Sequence, residues 1–145
     1  IVLNSAGKHS NGHLQMYSET TRAIRISVDT IYVDDQSEPD DFHFVWAYHI
    51  RIENNGSKTV QLLRRHWHIT DSKGRVQEVR GEGVVGEKPV LEPGEAFEYT
   101  SGTPLSTPSG FMVGSYQMVN EDGKRFNVSI PAFSLDSPHD ISLVN

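Results

Sequence analysis

Residues 81–94 read Gly81-Glu82-Gly83-Val84-Val85-Gly86-Glu87-Lys88-Pro89-Val90-Leu91-Glu92-Pro93-Gly94. The three glycines fall at GxGxxG spacing, which invites a dinucleotide-binding fold. In that fold a strand runs into the glycine turn, and the helix that follows points its N-terminus at a pyrophosphate. Pro89 and Pro93 stand where the interior of that helix would be, and a proline there costs about 3 kcal/mol. Glu82 and Glu87 would also set negative charge beside a phosphate. Without the helix there is no helix dipole and no reason to expect a parallel sheet. The stretch therefore reads as a glycine-rich loop or bulge where a strand edge crosses between sheets. Successive backbone N–H groups forming a small anion nest without a helix stay open as an alternative.

Outward from this stretch the period is two. Phe42, Phe44, Trp46, Tyr48, Ile50 and Ile52 alternate with His43, His49, Arg51 and Glu53, as in a strand with one face buried. Ile24, Ile26 and Val28 alternate in the same way, and the phase then changes at Ile31 and Val33, which suggests a bulge near Asp29. Further strands are expected over 60–70, 75–79, 96–101, 111–119 and 126–131. Asn54-Asn55-Gly56-Ser57, Asp71-Ser72-Lys73-Gly74, Glu92-Pro93-Gly94-Glu95 and Asn120-Glu121-Asp122-Gly123 supply the turns between strands. No window of 11 residues carries a 3.6-residue period. The expected fold is all-β: an antiparallel β-sandwich of immunoglobulin or fibronectin III type with about seven strands.

The totals bound the rest. The chain has 145 residues, with 13 Lys and Arg against 19 Asp and Glu, and a formal charge of -6. One domain with a real core is expected at this length. The acidic balance disfavours nucleic acid as a partner. There is no cysteine, which removes disulfides, thiolate metal sites and cysteine nucleophiles, and fits the reducing cytoplasm. No apolar run approaches the roughly 20 residues of a membrane helix. Residues 1–15, IVLNSAGKHSNGHLQ, are polar and lack a signal-peptide core. They are expected to be a vector-derived or disordered leader ahead of a domain over 16–135. Residues 136–145 form a tail, with the stretch from Ser134 onward expected to be extended or loosely packed.

The glycine–proline stretch, continued through Ala96-Phe97-Glu98-Tyr99-Thr100-Ser101-Gly102, resembles the ApaG family, also called CorD or DUF525. The resemblance extends to Gly110-Phe111-Met112, Gly114-Ser115-Tyr116, Asp122-Gly123 and Ile130-Pro131-Ala132-Phe133. In the N-terminal half it is carried by Tyr48-His49-Ile50-Arg51-Ile52-Glu53-Asn54 and by 63–71, Leu63 to Asp71. It implies a fibronectin III-like sandwich and a module without an established reaction. It also implies an association of bacterial members with cobalt and magnesium resistance or efflux. Eukaryotic F-box and polymerase-delta-interacting proteins contain a similar domain as an interaction module. The glycine motif belongs to the family pattern and implies a pyrophosphate loop at Gly81, Gly83 and Gly86.

Three functions follow as expectations. The leading one is a non-catalytic module that recruits an unidentified protein through loops, an edge strand or outward apolar residues such as Val45 and Met112. The edge strand could also pair two copies into a homodimer. The second is a pyrophosphate or nucleotide ligand at Gly81, Gly83 and Gly86, neutralised by Lys88 and Arg80. For that reading Gly83→Asp is expected to abolish binding with the fold intact. The third is a divalent-cation sensor. His66 and His68, at i and i+2 of a strand, share a face about 7 Å apart and are the metal candidates. Arg64 on the same face would oppose a cation, and His43 or His49 would have to supply a third ligand. Leu63, Trp67 and Ile69 are expected on the core side. The acidic loop Asp34, Asp35, Glu38, Asp40 and Asp41 misses the calcium-loop spacing and reads as solvated. No GxSxG elbow or triad order appears, so neither an enzyme nor a required cofactor is expected.

Overall fold

The computed structural model describes residues 15–140. The expected leader thus lies outside the described residues, apart from Gln15 at the start of the first strand. Among the described residues nine strands follow one another: β1 (Gln15–Thr21), β2 (Ile24–Tyr32), β3 (Phe44–Asn54), β4 (Val60–Asp71), β5 (Val76–Glu82), β6 (Val90–Leu91), β7 (Ala96–Leu105), β8 (Ser109–Asn120) and β9 (Arg125–Asp136). One sheet has the order β1-β2-β3-β7, and the other has the order β5-β4-β8-β9 with β6 also pairing with β4. Every pairing is antiparallel. Among the described residues there is no α-helix, and no helix long and apolar enough to cross a membrane.

The two sheets stack as a β-sandwich because each has one apolar face. Ile24, Ile26, Val28, Trp46, Ile50 and Ile52 come from the first sheet and meet Leu62, Trp67, Tyr116, Met118, Val128, Ile130, Phe133 and Leu135 from the second. Edge-on ring contacts cross the gap, with Tyr48 and Trp67 centroids 5.5 Å apart. Trp46 Nε1 donates to the Asp136 carbonyl at 2.9 Å and so ties β3 to the end of β9.

The strand count exceeds the expected seven by β1, whose sequence QMYSETT hardly alternates, and by the two-residue β6. No bulge occurs at Asp29, because β2 pairs with β1 and β3 without a register shift. The shifts lie elsewhere, one at Leu63 in β4 and one opposite Val113 on β9. The extra residue at Leu63 reverses which side chains face inward. Val60 and Leu62 are buried before it, and Trp67 and Ile69 after it, while Leu63 itself is only half-buried.

Phe42 does not extend the β3 stripe. It caps a short 3-10 turn with φ 53° and is 72% exposed. The 3-10 turns Asp34–Gln36 and Pro39–Asp41 fold beside the start of β3. Val33 N–H donates to the Val45 carbonyl at 2.8 Å, and Val45 N–H donates to Ser37 Oγ at 2.9 Å. Val45 is consequently buried. Met112 is buried in the core as well, so neither forms the outward patch expected of it. The segment after Ser134 is extended to Asp136 and then packs. Ser137 Oγ donates to the Pro108 carbonyl at 2.6 Å, and the His139 ring stands 5.8 Å from that of Tyr32.

Candidate functional site

The outer face of the β5-β4-β8-β9 sheet carries the polar and apolar side chains of interest in register. Asp71 N–H donates to the Arg75 carbonyl at 3.0 Å, closing the β4–β5 hairpin and setting its register. Four rungs follow across the sheet. Glu82, Arg64, Gln117 and Asn127 form one, and Arg80, His66, Ser115 and Ser129 the next. Glu78, His68 and Val113 come third, then Val76, Thr70, Phe111 and Ser134. The face thus runs from charged to apolar. At its charged end a cleft of about 520 Å³ is lined by Arg64, Arg65, His66, Arg80, Gln117 and Asn127 among others. At its apolar end Val76 is 59% exposed, Phe111 47% and Val113 37%.

Ion pairs organise the charged end. Arg64 Nε lies 2.8 Å from Glu82 Oε2, and Lys88 Nζ lies 3.3 Å from Glu82 Oε1. His66 Nε2 and Arg80 Nη2 both lie 2.6 Å from Glu78 Oε1. The hydrogen bond from His66, followed by those from Arg80, holds the Glu78 carboxyl below the usual range. The bond from Lys88 and the charge of Arg64 do the same for Glu82.

Of the three glycines only Gly81 lines this cleft, and the backbone around all three is set by local geometry. Gly81 lies opposite Arg65 in the ladder, and a Cβ there would come 2.6 Å from the guanidinium carbon. The gap lets Arg65 Nη1 donate to the carbonyls of Glu82 at 3.0 Å and Gly83 at 2.9 Å. Gly83 has φ +62°, and its Cβ would stand 2.3 Å from the Glu87 carbonyl oxygen. Val84 and Glu87 exchange two 2.8 Å backbone bonds around Val85 (φ 44°) and Gly86 (φ 80°), the backbone of a type I′ turn. No helix begins at Gly86. Three amides that a nest would direct at an anion are engaged within the fold: Gly83 with Leu63, and Val84 and Glu87 with each other. Gly83→Asp would therefore strain the hairpin itself, and the expectation that it leaves the fold intact is corrected. Ligand binding in this cleft has to be tested through the arginines.

His66 and His68 are neighbours, with ring centroids 4.7 Å apart. Their third companion is Glu78; one ligand atom from each of the three residues lies within 4.8 Å of the others. His49 cannot serve. It belongs to β3 in the other sheet, with Nδ1 at 2.8 Å from Thr100 Oγ1 and Nε2 at 2.9 Å from Glu98 Oε1. His43 bridges to Glu38 at the turn before β3. Among the described residues the acidic loop brings no such group together. The missing ligand was legible in principle: a hairpin turning at 72–74 pairs residues whose numbers sum to 146, which places Glu78 opposite His68.

Behind the cleft, Tyr99 and Tyr116 from opposite sheets share a hydroxyl–hydroxyl hydrogen bond in the core. Burial raises both phenols well above the ordinary tyrosine range and raises Tyr48 in the same direction.

A family model described as the ApaG domain (DUF525) matches residues 34–120. Protein ApaG of Paramagnetospirillum magneticum and Protein ApaG of Rhodospirillum centenum are each 68% identical over 130 residues, covering 90% of this chain and all of theirs. The crystal structure of the ApaA protein of Bordetella pertussis superposes with a TM-score of 0.78 at 52% identity, covering 80% of this chain and 94% of that one. These matches cover most of the chain: it belongs to the ApaG domain family.

Proposed function

We propose that this domain is a non-catalytic recognition module that holds a protein partner against the outer face of the β5-β4-β8-β9 sheet. The observation that carries this reading is the cluster of Val76, Phe111 and Val113, left exposed in adjoining rungs, with Arg80 in the next rung and Arg64 in the one beyond. Exposed apolar surface costs about 25 cal/mol per Å², and a grouped patch rimmed by charge is the usual mark of a binding face. The matching partner segment presents an aromatic or aliphatic side chain next to carboxylates, which the two arginines attract. A cysteine-free chain suits the cytoplasm. A link to cobalt or magnesium resistance would then act through the recruited partner. The immobilised protein is expected to retain a partner that Phe111→Asp and Arg80→Glu each lose. Met16→Asp, an exposed apolar position on the opposite sheet, should retain it. Equal recovery by Phe111→Asp and the parent, with matching melting temperatures, would refute the assignment of this face.

A second reading rests on the cleft itself. Three guanidinium groups line it in a chain of formal charge -6. Gln117 Oε1 is buried there and takes no hydrogen bond from the described protein atoms. The arginines suit a pyrophosphate group, and the free acceptor suits a hydroxyl or amine donor attached to it. Calorimetry with inorganic pyrophosphate and ATP, with and without magnesium, is expected to give a binding isotherm that Arg80→Gln weakens at least tenfold. Absence of heat from the parent protein removes this reading and leaves the first standing.

A further inference from the structure

We propose that His66, His68 and Glu78 form a surface site for a borderline divalent transition cation such as Zn²⁺, Co²⁺ or Ni²⁺. The argument starts from the backbone. His66 and His68 project from the same face of β4, and Glu78 occupies the β5 rung opposite His68. The antiparallel ladder holds these three Cα positions, so only side-chain torsions remain to be set. One ligand atom from each residue already lies within 4.8 Å of the others, and His66 Nε2 is 2.6 Å from Glu78 Oε1. Zinc bonds of about 2.0–2.2 Å to imidazole and carboxylate, in tetrahedral geometry, place ligand atoms roughly 3.3–3.6 Å apart. Small rotations about the side-chain bonds close that difference.

The donor set chooses the metal. Two imidazole nitrogens and one carboxylate suit the middle and late first-row cations, whereas magnesium and calcium take oxygen ligands. Three protein ligands on a solvent-facing sheet leave the fourth position to water, as in open zinc sites.

Arg80 determines the strength of the site. Its Nη2 lies 2.6 Å from Glu78 Oε1 and its Nε 3.0 Å from the same oxygen. Its positive charge opposes a cation and competes for the same lone pairs. A bound ion has to displace this guanidinium. Removing Arg80 should therefore strengthen metal binding, the opposite of what it should do to an anion in the neighbouring cleft. The site shares His66 and Arg80 with the cleft, and Arg80→Gln separates the two readings, because it should tighten metal binding and weaken anion binding.

The test titrates the full chain, stripped with chelator, with Zn²⁺ and with Co²⁺ alone. Affinity is followed by calorimetry and the imidazole resonances by NMR. One equivalent is expected to bind and to shift the His66 and His68 rings together, while millimolar Mg²⁺ leaves both unmoved. His68→Gln and Glu78→Gln should each weaken binding at least tenfold, and Arg80→Gln should tighten it severalfold. Replacing His9 and His13, the two histidines near the N-terminus, should leave binding unchanged. The proposal fails if His68→Gln and Glu78→Gln bind like the parent with their chemical-shift dispersion intact. It also fails if binding disappears with His9 and His13, or if Arg80→Gln weakens it.

Discussion

Trp46→Ala is expected to remove most of the stability of the fold. The side chain is 1% exposed near the start of β3, with its ring packed edge-on against Tyr32 at a centroid distance of 5.6 Å. Truncating a fully buried tryptophan costs about 3–5 kcal/mol in transfer and cavity terms. The indole N–H that satisfies the Asp136 carbonyl is lost at the same time, and an acceptor left unpaired in partial burial adds to the loss. Domains of this size hold about 5–15 kcal/mol in all, so a domain at the lower end of that range would be brought close to its unfolding midpoint. Urea unfolding followed by far-UV circular dichroism measures the effect. Trp46→Phe should fall between parent and alanine variant, because it keeps most of the packed volume while giving up the hydrogen bond. A midpoint for Trp46→Ala that implies less than about 1 kcal/mol lost would mean that Trp46 does not anchor the two sheets.

Alkali should unfold this protein cooperatively, and the cause lies in the core. Tyr99 and Tyr116 are joined by their hydroxyls between the sheets, with Tyr48 nearby. Burial raises the pKa of all three phenols, most of all for the joined pair. The sign follows from proton linkage. The unfolded chain releases phenolic protons near pH 10 and the folded chain keeps them, so the stability present below pH 10 falls as pH rises. Each phenol held neutral in the fold costs about 1.4 kcal/mol per pH unit above that point. For the Tyr99–Tyr116 pair alone this is roughly 5 kcal/mol by pH 12, comparable with the whole stability of a domain. The expected result is a single transition in which tyrosinate absorbance appears together with loss of sheet signal. Tyr99→Phe should unfold at higher pH, because one titrating phenol is gone. If tyrosinate absorbance saturates near pH 10 with the sheet signal intact, the phenols are reachable by solvent and this account of the core fails.

The period-two stripes of β2 and β3 were legible because alternation needs only a strand with one wet face. Pro89 and Pro93 were equally plain: a residue without an N–H rejects a helix in any context. The inward residues of β4 were harder. Leu63, Trp67 and Ile69 form a regular alternation on paper, but the bulge at Leu63 changes the inward phase from Val60 and Leu62 to Trp67 and Ile69. Nothing in the local sequence announces that insertion, because it is set by pairing with β8. Val45 departs from its local pattern for a related reason. Alternation puts it outside, and only the fold-back of the 3-10 turns, with Ser37 reaching its amide, covers it.

The candidate sites divide along the same line. The His66–His68 pair was visible, since two residues apart on a strand means one face. Glu78 joined it through a hairpin register that the Asp71–Gly74 turn already implied. The glycine triplet was visible as a motif but not as what it is. Its demands are an Arg65 side chain crossing at Gly81, a carbonyl pressed against Gly83 and a left-handed turn at Gly86, and each depends on atoms outside the motif.

By itself the sequence determined an all-β domain, the absence of a helix after the glycines and the faces of its regular strands. These depend on φ restriction and on a two-residue period, which are local properties of the chain. Tertiary structure alone decided which strands became neighbours, and hence that Arg64, His66, Arg80, Phe111 and Val113 share one outer face. Contacts between distant segments are settled by burial of the shared core and by bulges that reset the pairing, and no single segment encodes either.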